Sequence, residues 1–158
     1  MTEYQKKAKK YLSKYRSLLK KLDYLAERIE EQRAKSTSVK SSLNIETGID
    51  KKGKSQLVAR SKTFDPGARE RLLHILVFQC KEYDQKKAEA EILAGEIEDT
   101  IDSLLDDDRY KLVLKYVYIQ QNNYRQVAYK LSYSYQHIKR LHWEGLEELG
   151  KKMSPHEP

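Results

Sequence analysis

The sequence predicts an all-α protein: a long antiparallel helical hairpin or coiled coil, followed by a C-terminal helix-turn-helix. Three observations predict it. Of the 158 residues 35% are charged and only 39% are hydrophobic, with six Gly and three Pro, and Lys, Glu, Leu, Ala and Arg dominate as they do in long helices. Apolar residues recur at spacings of four and three along two extended stretches, the period of an amphipathic helix. Near the C-terminal end a short helix, a three-residue turn and a longer helix follow one another.

From Tyr4 to Lys35 the apolar stripe runs Tyr11, Tyr15, Leu18, Leu22, Leu25 and Ile29, with Lys, Arg and Glu between. That is a coiled-coil pattern, and Leu12, Leu19 and Ala26 widen it as expected of a helix with more than one neighbour. The stretch from Ser36 to Thr63 loses the period and gathers Ser, Thr, Gly and Lys, so it reads as a mobile, basic linker. Asp65 then offers an N-cap and Pro66 a first helical position. The second long helix carries Leu72, Leu76, Cys80, Tyr83, Ala90, Ala94, Ile97, Ile101 and Leu104 on one side, and Asp106 to Asp108 end it.

Arg109 to Gln120 reads as a short apolar helix, and Asn123 caps the next, from Tyr124 to Leu131, with Val127, Ala128 and Leu131 on one face. Ser132 to Ser134 forms the turn. Ser134 caps a last helix running from Tyr135 to about Gly150 or Lys152. At about 100° per residue, Ile138, Leu141, Gly145 and Leu149 share the inward side, while Gln136, Arg140 and Trp143 face outward with His137 and Lys139 on the flanks. The domain reading is thus a coiled-coil hairpin over 1–108 with a basic loop at 36–64, a helix-turn-helix over 109–152 and a tail over 153–158.

Composition and charge narrow the function. Mean hydropathy is -0.86, and no run approaches the roughly 18 apolar residues of a membrane span. A lone cysteine, Cys80, fits a reducing cytoplasm. Residues 1–64 hold 17 basic and 7 acidic groups, residues 65–108 hold 5 and 13, and residues 109–158 hold 9 and 4. Two basic ends flanking an acidic middle suit nucleic acid. Pairing between a basic and an acidic helix would use the same charges internally.

The outward face of the last helix has the chemistry of base reading. An amide such as that of Gln136 can bond adenine, a guanidinium such as that of Arg140 can bond guanine at two points, and the N-terminal part of a recognition helix is what reaches base edges. Tyr135, Lys139 and Tyr124 or Arg125 are then candidates to hold phosphates, with Ser134, His137 and Trp143 completing the DNA-binding set. Ordinary packing accounts for most of the seven tyrosines, of twelve in all, that lie between Tyr110 and Tyr135. His74, His137, His142 and His156 lack the spacing of a metal site. No phosphate-cradling Gly-rich loop or nucleophile motif occurs, so neither an enzyme nor a cofactor is expected.

The run LVLKYVYIQQNNYRQVAYKLSYSYQHIKRLHWEGLEEL resembles region 4 of sigma-70-type factors. Tyr116, Val127, Ala128, Leu131, Ser134, Ile138, Arg140, Leu141 and Leu146 carry the match. The wider layout and the segment YSYQHIKRLH are similar to phage and prophage sigma-like regulators related to late-gene activators of the RinA and ArpU type. Departures fall at Gln126, where Glu is common, at Ser132, where a turn Gly is common, and at Gly145, where Ala is usual. The resemblance implies a non-enzymatic transcriptional regulator that binds double-stranded DNA in a bacterial host cytoplasm, as a homodimer or higher homo-oligomer. Its coiled coil would fix dimer geometry or contact the host RNA polymerase. The alternatives are a small terminase-like packaging adaptor, which forms rings, and a coiled-coil adaptor that binds only protein.

Overall fold

The computed structural model describes residues 1–41, 45–49, 55–59 and 67–154. Five α-helices account for most of them: α1 (Glu3–Ser41), α2 (Ala68–Leu104), α3 (Asp108–Leu114), α4 (Tyr124–Leu131) and α5 (Tyr135–Lys152). A π-helical segment, Lys115–Ile119, continues α3, and two strands, β1 (Ile45–Ile49) and β2 (Ser55–Ala59), lie between α1 and α2. No described helix is long and apolar enough to cross a membrane.

The described residues of the expected linker form regular structure. Helix α1 continues past Ser36 to Ser41, and β1 pairs antiparallel with β2 in the register Ile45↔Ala59, Thr47↔Leu57 and Ile49↔Ser55. The β-branched residues Ile45, Thr47 and Ile49 recur with a period of two, the strand signal that a search for helical spacing passes over. The cap expected from Asp65 and Pro66 lies outside the described residues.

The chain falls into two compact units, one comprising residues 1–22 and 86–158, the other residues 23–85. This division does not follow the 108/109 boundary drawn from the sequence, because the first turns of α1 and the last turns of α2 share a core with α5. Ala8, Leu12, Ile97, Ile101, Leu105, Leu114, Tyr118, Leu146 and Leu149 make up that core, and burying each large aliphatic side chain contributes about 1.5–3 kcal/mol. Tyr11 Oη lies 3.2 Å from Thr100 Oγ1 on the edge of the same contact. A second cluster, Val113, Val127, Ala128, Ile138 and Leu141, holds α3, α4 and α5 together. Lys115 pairs with Asp102 at 2.7 Å and Lys152 pairs with Asp106, tying the π segment and α5 to the end of α2.

In the other unit Ile29 and Gln79 are buried. Ala26, Ile29 and Arg33 of α1 face Cys80, Tyr83 and Asp84 of α2 across a largely apolar hollow. Leu73, Ile75, Val77 and Phe78 remain exposed on α2.

The acidic triplet ends α2 as expected and also begins α3: Asp107 is the N-cap, accepting from the Arg109 N–H at 2.9 Å. The guanidinium of Arg109 holds the Asp107 carboxyl below the usual carboxylate range. Downstream, the single apolar helix expected over Arg109 to Gln120 is divided. After Leu114 the bonds lengthen to the π pattern, with Gln120 N–H donating to Lys115 O at 3.1 Å. The segment leads to Gln121 in the left-handed conformation, φ 55°.

Candidate nucleic-acid interface

Helix α4 is closed by side chains at its N-terminal end and by backbone bonds at its C-terminal end. Asn123 Oδ1 accepts from Gln126 N–H at 3.0 Å, and Gln126 Oε1 accepts from Asn123 N–H at 2.8 Å, a reciprocal pair that satisfies two otherwise open donors. Gln126, where Glu is common in the sigma-like pattern, keeps the capping function. At the other end Ser132 sits at φ 56°, ψ 38°, the left-handed conformation, with Tyr133 N–H bonded to Ala128 O at 3.0 Å. A residue with a Cβ is strained there. Ser132→Gly is therefore expected to stabilise the protein by about 1 kcal/mol, read as a higher urea midpoint; an unchanged or lower midpoint would mean that the turn stores no strain.

Ser134 then caps α5, its Oγ accepting from His137 N–H at 3.2 Å. Ile138, Leu141, Gly145 and Leu149 are buried, as the helical spacing required, together with His142 and Leu146. The opposite side of the first two turns is open: Tyr135, Gln136, Lys139 and Arg140 are exposed and, with Trp143, line a shallow groove of about 460 Å³. Arg140 is held only loosely, 3.8 Å from Glu144 on its own helix and 3.0 Å from His137 Nδ1. Both contacts are exposed and surrender little when broken. Arg125 is exposed at the start of α4.

Four expected site residues carry structural duties. The Ser134 hydroxyl is engaged as the cap. Trp143 is half-buried against the core rather than facing fully outward, with the Lys9 ammonium 5.6 Å from its ring centre. His137 is half-buried, its ring edge-on to Tyr133 at 4.9 Å. Tyr124 points its hydroxyl inward to His142 Nδ1 at 3.1 Å, while its ring meets Tyr135 edge-on at 6.1 Å.

His142, which the sequence marks only as lacking metal-site spacing, is the centre of a hydrogen-bonded network. It is 2% exposed, with Tyr118 Oη 3.1 Å from Nε2 and Tyr124 Oη 3.1 Å from Nδ1. The Tyr118 and His142 rings stack at 5.7 Å. Burial, helped by the Lys9 charge, lowers the imidazole pKa to about 4, so the ring is neutral at pH 7. A neutral imidazole has one N–H and one lone pair, so one tyrosine accepts from it and the other donates to it. Burial also raises the ionisation of both hydroxyls above the ordinary tyrosine range.

Among the described residues no three His, Cys, Asp or Glu side chains converge where they could hold a metal ion. What the groove offers is hydrogen bonding and positive charge: an amide, an ammonium, a guanidinium and a phenol on one helix face. No protein-family model, no curated protein and no solved structure matches the chain.

Proposed function

We propose that the protein is a sequence-specific, double-stranded-DNA-binding transcriptional regulator of phage or prophage genes. In this reading the two long helices form an antiparallel hairpin, and α4, the Ser132 to Ser134 turn and α5 form a sigma region-4-like helix-turn-helix. The observation that carries it is the exposed face of Tyr135, Gln136, Lys139 and Arg140 at the capped start of α5, where a recognition helix presents its side chains to the major groove. Gln136 and Arg140 read bases, and Tyr135, Lys139 and Arg125 hold phosphates. The regulator acts in the bacterial host cytoplasm. A homodimer belongs to the same reading, because Leu73, Ile75, Val77 and Phe78 leave apolar surface on α2; two recognition helices then lie about one DNA turn, or a multiple of it, apart.

Selecting bound fragments from the source genome and titrating the winning duplex against salt tests the proposal. A site retained above competitor DNA, upstream of a gene block, supports a regulator. Weak binding that is wholly salt-sensitive and enriches no fragment rejects sequence reading. On the selected site Arg140→Ala is expected to cost about 1–3 kcal/mol and to relax preference at one base pair; unchanged affinity and preference would remove Arg140 from the reading set.

A further inference from the structure

A cavity of about 300 Å³ lies where the first turns of α1 meet the π segment, the start of α4 and the middle of α5. Its α1 wall is Lys9, Ser13 and Arg16, residues spaced by four and three that share one face of the helix. Asn122 and Asn123 also line it, as do Tyr118, Tyr124 and His142 of the buried network. No carboxylate lines it. Neither Lys9 nor Arg16 forms an ion pair among the described residues, although elsewhere on α1 Lys6 pairs with Glu3 and Arg33 with Glu30. Two exposed cations beside a carboxylate-free hollow make it favourable for an anion.

The cavity adjoins the groove on α5. Lys9 lines the cavity and places its ammonium over Trp143, which lines the groove. Tyr124 belongs to the cavity, and its ring touches Tyr135 of the groove. An extended polyanion lying on the α5 face would therefore pass beside Lys9.

We infer that Lys9, Ser13 and Arg16 of α1, with Asn122 and Asn123, form a phosphate-binding pocket beside the base-reading face. The inference rests on the DNA-binding reading for the source of the phosphate, the DNA backbone, but not for the pocket itself, which would also take a free phosphate group. It makes the long basic helix part of the binding surface rather than only a scaffold. The guanidinium of Arg16 suits two-point bonding to phosphate oxygens, Lys9 acts as a point charge, and the Ser13 hydroxyl donates a further hydrogen bond.

The test compares the full chain with Arg16→Gln and with Lys21→Gln, the same charge change about 140° round the helix. Each is titrated with the selected duplex and a scrambled duplex at several salt concentrations, and separately with inorganic phosphate followed by fluorescence of Trp143, the only tryptophan. Arg16→Gln is expected to weaken both duplexes about three- to tenfold, to lower the salt slope by about one and to leave the preference between them unchanged, with Lys21→Gln close to wild type. If wild type binds no duplex but gives a saturable phosphate response that Arg16→Gln abolishes, the pocket stands with a free phosphate as its source and the DNA reading falls. An Arg16→Gln protein that matches wild type towards both probes, or a loss reproduced equally by Lys21→Gln, overturns the inference.

Discussion

Gly150→Ala is expected to cost about 3 kcal/mol of stability, the reverse of what helix propensity alone dictates. Gly150 lies inside the last turn of α5, where alanine would ordinarily gain about 1 kcal/mol. Here an added Cβ would stand 2.2 Å from Tyr4 O, 2.5 Å from Tyr4 C and 2.9 Å from Tyr4 Cα. All three are backbone atoms, so no side-chain rotation relieves the overlap and the first turn of α1 must move. That movement also breaks the contacts of buried Gln5, whose Nε2 donates to Trp143 O at 3.3 Å and to Glu147 Oε2 at 3.4 Å. Gly145 makes a useful contrast, because a methyl there meets the Tyr110 side chain at 3.2 Å and needs only a few tenths of an ångström. Denaturant unfolding of Gly150→Ala decides the matter: a midpoint at or above wild type would mean that α1 does not rest on α5 as described.

The second large effect is a dependence of stability on pH carried by His142. Its pKa is about 4 in the folded chain, lowered by burial and then by Lys9, against an ordinary value of 6.5. Between those values the unfolded chain binds the proton and the folded chain does not, so stability falls as pH falls from about 6.5 to about 4 and is level above that range. The full difference is about 3 kcal/mol. In His142→Gln an amide replaces the imidazole between Tyr118 and Tyr124 and cannot titrate. The variant is expected to be less stable at pH 7 and to lack this part of the acid loss, so the gap between the two proteins narrows towards pH 4. Subtracting the variant's curve removes the contribution of the acidic residues, including Asp106 and Asp107, whose carboxyls are lowered by Lys152 and Arg109. Parallel curves for the two proteins would show that His142 is not held neutral by the fold.

The parts of this fold legible in the sequence are those governed by residues close together in the chain. Asn123 and Ser134 announce their helices because a cap bonds to an N–H three residues ahead, and the inward set of Ile138, Leu141, Gly145 and Leu149 follows from helical spacing alone. The strands β1 and β2 lie in a Ser- and Lys-rich stretch where only Ile45, Thr47 and Ile49 of β1 alternate, too short a signal to fix a hairpin. The His142 network depends on Tyr118 and Tyr124, 24 and 18 residues away, and no local spacing brings them together. Lys9, Ser13 and Arg16 did leave a signal, a polar stripe at spacings of four and three beside the apolar one. Its meaning required knowing that the start of α4 lines the same cavity. Tyr124 and Trp143 show the limit of angular reasoning: spacing places a residue on a side of its own helix, whereas a neighbouring element decides whether that side is open.

The π segment Lys115–Ile119 has a consequence for how this chain can vary. An extra residue in a helical turn rotates the point at which the chain leaves the helix, so this widened turn sets the direction in which Gln120 and Gln121 depart towards α4. A one-residue change in length between Lys115 and Gln121 would therefore alter how the chain enters α4 in a way that exchanging a side chain there does not.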